Sequence, residues 1–252
     1  ATLHREGGWA RDPRRFGEAA AILLGDLLLG YADDLLGQGL ALLEHRDRAI
    51  AVRAEFSKMR SEVTLGQYLD VLEEHAWIAA PDAQARQRAH RVVVYKSAKY
   101  SIEAPLAIGA IAAGVDDARL AAIREFGVPL GVAFQLRDDL LGVYGDPALT
   151  GKPAGDDLRE GKRTVLVAIA RESLPAAARS LVDELLGDSD LTDEQIGLLR
   201  RAFIDSGAVD HVERAIAFNV ERAMDALRRA DLATSAAREL GALADAVATR
   251  DA

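Results

Sequence analysis

The feature that most constrains this chain is a long, largely apolar segment that carries two adjacent aspartates. The segment reads IREFGVPLGVAFQLRDDLLGVYG, and its pattern predicts a buried helix over 117–145. Asp138 and Asp139 lie three and four residues after Gln135, so they share one face of that helix with it. Because charged groups in an apolar segment need a partner or a metal ion, the acidic pair is a candidate functional site.

A loop rich in glycine and lysine follows this helix. Gly145-Asp146-Pro147 opens the loop, and Lys152 and Lys162 lie in it or just after it. Carboxylates are hard oxygen ligands for Mg²⁺, and ammonium groups neutralise phosphate oxygens. The combination therefore suits a metal-bound polyphosphate. Taken singly, an aspartate pair on a helix is more often a solvated face, and a loop with lysines is more often only a loop.

Composition favours an all-α protein and excludes several functional classes. Half of the 252 residues are hydrophobic, only 7 are proline, and no alternating strand pattern is visible. Helices are predicted over 18–36, 39–53 and 54–75, and over 83–103, where the helix should end near Pro105. The absence of cysteine excludes disulfides and thiol chemistry, and 40 acidic against 31 basic residues argue against a nucleic-acid-binding surface.

Location and assembly can also be predicted. No apolar run approaches the roughly 18 residues of a membrane span. No signal peptide opens the chain, so we expect a cytoplasmic protein. The helix over 18–36 is apolar on more than one face, which predicts a homodimer.

The motifs FQLRDD and GKPAGDDLREGKRT, taken together and in this order, resemble the second aspartate-rich region of the trans-isoprenyl diphosphate synthases, the polyprenyl synthetase family. The resemblance is greatest to its geranylgeranyl diphosphate synthase branch. It implies an isoprenoid-synthase-type helical bundle around a central cavity. It also implies Mg²⁺-dependent transfer of an allylic prenyl group to isopentenyl diphosphate.

The same resemblance implies roles for particular residues. Asp138 and Asp139 would be the catalytic metal ligands. Lys96-Ser97 matches a Lys-Thr pair of the family, and serine keeps the hydroxyl. The residues expected to contact the substrate are Lys96, Ser97, Gln135, Lys152, Lys162 and Gln67. For Gln67, capping of neighbouring groups is an equally good interpretation.

The chain also departs from the family pattern. The resemblance covers 1–252 as a single helical domain, but the family's N-terminal helices, with the first aspartate-rich motif, have no match. Gly142 follows Asp138-Asp139-Leu-Leu where an aspartate is usual. Either an N-terminal portion is lacking or the protein is a degenerate member, and we expect the 252-residue chain alone to turn over little or nothing. A terpene cyclase, a non-catalytic synthase subunit and a helical interaction protein without a ligand are the alternatives.

Overall fold

A computed structural model describes residues 2–146 and 155–249, and all regular structure in these residues is helical. The prediction of an all-α fold is therefore confirmed. The α-helices in chain order are α1 (Thr2–Glu6), α2 (Pro13–Leu40), α3 (Arg46–Ala76), α4 (Ala85–Val92), α5 (Ala104–Ala113), α6 (Asp117–Tyr144), α7 (Asp156–Glu160), α8 (Val165–Ser173), α9 (Ala176–Leu185), α10 (Asp193–Asp205), α11 (Ala208–Arg229) and α12 (Thr234–Ala248). A π-helix, Val93–Glu103, joins α4 to α5, and two 3₁₀ turns, Trp77–Ala79 and Asp82–Gln84, follow α3.

The chain divides into two compact units, Ala1–Arg53 and Ala54–Ala252. In the first unit, α2 begins where the Asp12 side chain accepts a hydrogen bond from the backbone N–H of Arg14, which is an N-cap. None of the side chains of α2 is buried, and Leu24 and Leu28 are 56% and 57% exposed. The apolar helix predicted over 18–36 is thus present and longer than predicted, and most of its large apolar side chains are exposed.

Helix α6 is the centre of the second unit. Asp116 caps its N-terminus by accepting a hydrogen bond from the N–H of Arg119, and α6 packs chiefly against α11 and the π-helix. At Gly131 the π-helix comes so close that a Cβ atom would lie 2.5 Å from Ala98 Cα. The glycine therefore allows backbone-to-backbone packing that no other residue permits. The side chains of Phe126 and Leu130 are fully buried.

Two sequence-based boundaries are wrong. α3 is continuous from Arg46 to Ala76, where two helices were predicted, and the helix before Pro105 continues into α5. Proline normally interrupts a helix because its ring clashes with the carbonyl four residues earlier. Here the N–H of Ala104 bonds to the carbonyl of Lys99, five residues back, and this wider π turn relieves the clash. Pro105 then occupies the first turn of α5, where an N–H is not needed.

Within the described ranges, no helix combines the length and the apolar character that crossing a membrane requires.

Candidate functional site

A cavity of about 250 Å³ in the second unit collects most of the side chains that the sequence singled out. The predicted residues among its lining are Lys96, Ser97, Gln135, Asp138, Asp139 and Lys162. Of the other two predicted residues, Lys152 lies outside the described residues. Gln67 is exposed and is not part of the described lining of the cavity, so the structure does not support the contact expected for it.

The acidic pair occupies the wall formed by α6. Asp139 is only 6% exposed, and the Gln135 side-chain N–H donates to its Oδ1 over 2.7 Å. Burial raises the pKa of Asp139 to about 7, the Asp157 and Asp138 carboxylates add to the rise, and the Gln135 hydrogen bond opposes it. The Gln135 hydrogen bond and the charge of Lys162 offset only part of the cost of ionising Asp139, so a cation beside this carboxylate would be favoured.

The two described lysines of the site are already paired with carboxylates. Lys96 donates to Asp70, and Lys162 donates to Asp157 Oδ1 over 2.5 Å. Burial alone would lower the pKa of Lys162, but Asp157 and Glu160 outweigh burial and raise the pKa above its usual value. Lys162 therefore stays charged, and both lysines line the cavity that an anionic ligand would enter.

Asp70 and Asp157 line the cavity and were missed from the sequence. Asp70 stands in the GQYLD segment three residues after Gln67, and Asp157 is the second aspartate of GKPAGDD. Asp157 packs so closely against α6 that a Cβ atom at Gly142 would overlap its Oδ2. The position where the family usually has an aspartate is thus a glycine, and another carboxylate fills the space beside it.

The carboxylates fit an open divalent-cation site. Among the described residues, no three His, Cys, Asp or Glu side chains are close enough to form a complete ligand set. Mg²⁺ is usually held by one or two carboxylates and completes its shell with water and substrate phosphates. Asp138 and Asp139 supply such a partial set beside lysines that suit phosphate.

Comparison with known proteins identifies the family. The polyprenyl synthetase family model matches residues 5–200. The geranylfarnesyl diphosphate synthase of Aeropyrum pernix is 36% identical over 228 residues, which are 89% of this chain and 68% of that protein. The geranylgeranyl diphosphate synthase of Mycobacterium tuberculosis is 38% identical over 168 residues, which are 66% of this chain and 45% of that protein.

Solved structures agree. A geranylgeranyl pyrophosphate synthase from Corynebacterium glutamicum, complexed with isoprenyl diphosphate and magnesium, superposes with a TM-score of 0.90 and is 37% identical. The match covers 99% of this chain and 68% of that one. The chain thus spans from 45% to 68% of the length of these three relatives. The family-model match and these identities show that the chain belongs to the polyprenyl synthetase family.

Proposed function

We propose that this chain carries the metal–diphosphate part of a prenyltransferase that condenses isopentenyl diphosphate with an allylic diphosphate, giving products such as geranylgeranyl diphosphate. The observation that carries the proposal is one cavity in which an acidic pair on α6 and two half-buried lysines meet. The names of the relatives support the same reaction class.

Mg²⁺ is the proposed cofactor, with Asp138 and Asp139 as its ligands. When bound, the ion would neutralise charge that builds up on the departing diphosphate. The raised pKa of Asp139 supports this assignment, because burial makes an ionised carboxylate costly there and a cation would offset that cost.

The remaining residues of the site would hold the allylic diphosphate. Lys96 and Lys162 supply positive charge, and Ser97 and Gln135 supply hydrogen bonds; Lys152, outside the described residues, is proposed for the same role. The C–O bond to the allylic carbon breaks, and its electron pair leaves with the diphosphate. The double bond of isopentenyl diphosphate then attacks the allylic cation, and a proton passes to the released diphosphate. The protein contributes positioning and fixed charge.

The wider organisation is also proposed. We treat 1–252 as one helical prenyltransferase domain and keep the expectation of a cytoplasmic location. A homodimer is supported by α2, on which most of the large apolar side chains are exposed.

Ligand binding with a matched pair of variants tests the proposal. Asp138→Ala should abolish Mg²⁺-dependent binding of geranyl diphosphate and leave the far-ultraviolet circular dichroism unchanged. Asp245→Ala removes an exposed aspartate from α12 and should bind like the wild type. Equal affinity in Asp138→Ala and Asp245→Ala would remove the metal assignment. Product analysis with and without isopentenyl diphosphate separates chain elongation from cyclisation.

A further inference from the structure

A third cation, Arg163, lines the same cavity next to Lys162. Its side chain is only 10% exposed. The reaction proposed above gives it no role.

The ring of Trp77 holds this guanidinium in place. Arg163 Cζ lies 3.6 Å from the ring centroid, which is a close cation–π contact. Arg171 Cζ lies 4.9 Å from the same centroid. Two positive charges therefore contact one aromatic ring, and their repulsion makes the charged state of each guanidinium less favourable.

The Asp183 carboxylate bonds to both arginines, but its hydrogen bonds to Arg171 are shorter and more numerous than the one to Arg163. Arg171 binds Asp183 with two hydrogen bonds, of 2.7 and 3.0 Å, and binds Asp82 with a third of 2.9 Å. Arg163 reaches the same Asp183 Oδ1 over 3.4 Å. The Nε atom of Arg163 is buried and has no hydrogen-bond partner among the described residues.

Arg163 is therefore a buried cation with too little negative charge around it. Burial lowers its pKa to about 10; Asp183 opposes this shift, and the charge of Arg171 adds to it. An undercompensated buried charge destabilises a fold unless a ligand supplies the counter-charge. Arg163 lines two described cavities, the proposed diphosphate cavity of about 250 Å³ and a small one of about 20 Å³ that Trp77 also borders. Of these two, only the first has room for a diphosphate, and it also contains Lys96 and Lys162.

We propose that Arg163, held against Trp77, is a further diphosphate-binding residue of this site. The inference rests on the proposed function and extends its set of cations. A planar guanidinium matches phosphate oxygens better than an ammonium group does, and stacking on the ring fixes its orientation before the ligand arrives. The ligand completes the hydrogen bonding that Asp183 leaves incomplete.

A calorimetric titration of the protein with inorganic pyrophosphate in the presence of MgCl₂ tests this inference. Arg163→Gln should weaken binding by about tenfold or more, which is the usual effect of losing one charged hydrogen bond. Arg163→Lys keeps the charge and should recover part of the affinity. Arg88→Gln is the matched control, because Arg88 pairs with Glu73 and borders the small neighbouring cavity at Trp77, and it should bind like the wild type.

A second variant, Asp183→Asn, should change the affinity for pyrophosphate in the opposite direction. Asp183→Asn removes the carboxylate that Arg163 shares, so pyrophosphate should bind more tightly than to the wild type. A purely structural Arg163 would not produce this increase. Without ligand, Arg163→Gln should melt at the wild-type temperature or above it, because an undercompensated charge has been removed.

The outcomes separate the two proposals. If the wild type does not bind Mg²⁺-pyrophosphate, the proposed function fails, and the role of Arg163 fails with it. If the wild type and Arg88→Gln bind but Arg163→Gln binds equally well, only the role of Arg163 is overturned. Weaker binding by Arg163→Gln together with tighter binding by Asp183→Asn supports both.

Discussion

Gly131→Ala is the sharpest test of how the fold builds the site. The added methyl group would lie 2.5 Å from Ala98 Cα and 2.6 Å from the Ala98 carbonyl oxygen. Carbon atoms pack best about 3.5–4.0 Å apart, so α6 and the π-helix must separate by about 1 Å. Ala98 follows Ser97 directly, and Gly131 stands one turn before Gln135. The separation would therefore pull the two walls of the diphosphate cavity apart.

The expected magnitude follows from two opposing effects. Replacing an interior helical glycine by alanine stabilises by about 0.5–1 kcal/mol. Forcing extra volume into a packed contact destabilises by about 1–3 kcal/mol. Gly109→Ala is the matched control, because Gly109 lies inside α5 and nothing is within 4 Å of its added Cβ. The gain in helix propensity cancels between the two variants, so Gly131→Ala should be about 1–3 kcal/mol less stable than Gly109→Ala.

Urea unfolding and pyrophosphate titration measure the two consequences. Gly109→Ala should be slightly more stable than the wild type and bind normally. Gly131→Ala should be less stable than Gly109→Ala and should bind Mg²⁺-pyrophosphate more weakly. If the two variants unfold at the same urea concentration and bind alike, the close packing of α6 on the π-helix does not position the site.

Three further predictions concern pH, cofactor coupling and assembly. Hydrogen bonds of 3.0 and 2.7 Å from Arg124 lower the pKa of Glu55 in the folded protein. The stability that this pair contributes is complete above the unfolded-state pKa, near 4.5, and is lost as the pH falls through the lower folded-state pKa. Glu55→Gln should therefore melt at a lower temperature than the wild type at neutral pH, and the difference should shrink in acid. Calorimetry should show that pyrophosphate binds at least about tenfold more tightly with Mg²⁺ than in EDTA, a coupling that Asp139→Asn removes. The wild type should sediment well above 27.0 kDa, and Leu24→Glu with Leu28→Glu should shift it to that mass; a wild type already at that mass would refute the dimer.

Local patterns account for what could be predicted from the sequence. The helix predicted over 117–145 is α6, which ends one residue before the predicted boundary. The Asp116 cap and a continuous apolar pattern determine α6 locally. The placement of Gln135, Asp138 and Asp139 on one helix follows from spacing alone, and the structure brings all three to the cavity.

Long-range packing accounts for what could not be predicted. Gln67 and Asp70 are three residues apart, which turns their side chains about 60° from each other on a helix. The edge of the cavity falls between them, so Asp70 lines it and Gln67 is exposed. The rotation of α3 that decides this depends on its packing, including Gly66, where a Cβ atom would overlap the backbone of the π-helix at Lys96. No sequence spacing reveals such a contact.

The residues missed from the sequence also explain how the site can exist without its ligand. Two half-buried ammonium groups in one cavity would destabilise the fold if they had no counter-charge. Asp70 pairs with Lys96, and Asp157 pairs with Lys162, so the lysines are compensated before any ligand binds. Under the proposed function, metal and diphosphate enter together, because the cation meets the carboxylates as the anion meets the lysines and the charge in the cavity stays balanced. Arg163 differs from both lysines, because its carboxylate partner Asp183 bonds more closely to Arg171 than to Arg163. Of the three described cations in the cavity, Arg163 therefore has the weakest pairing with a carboxylate before the ligand binds.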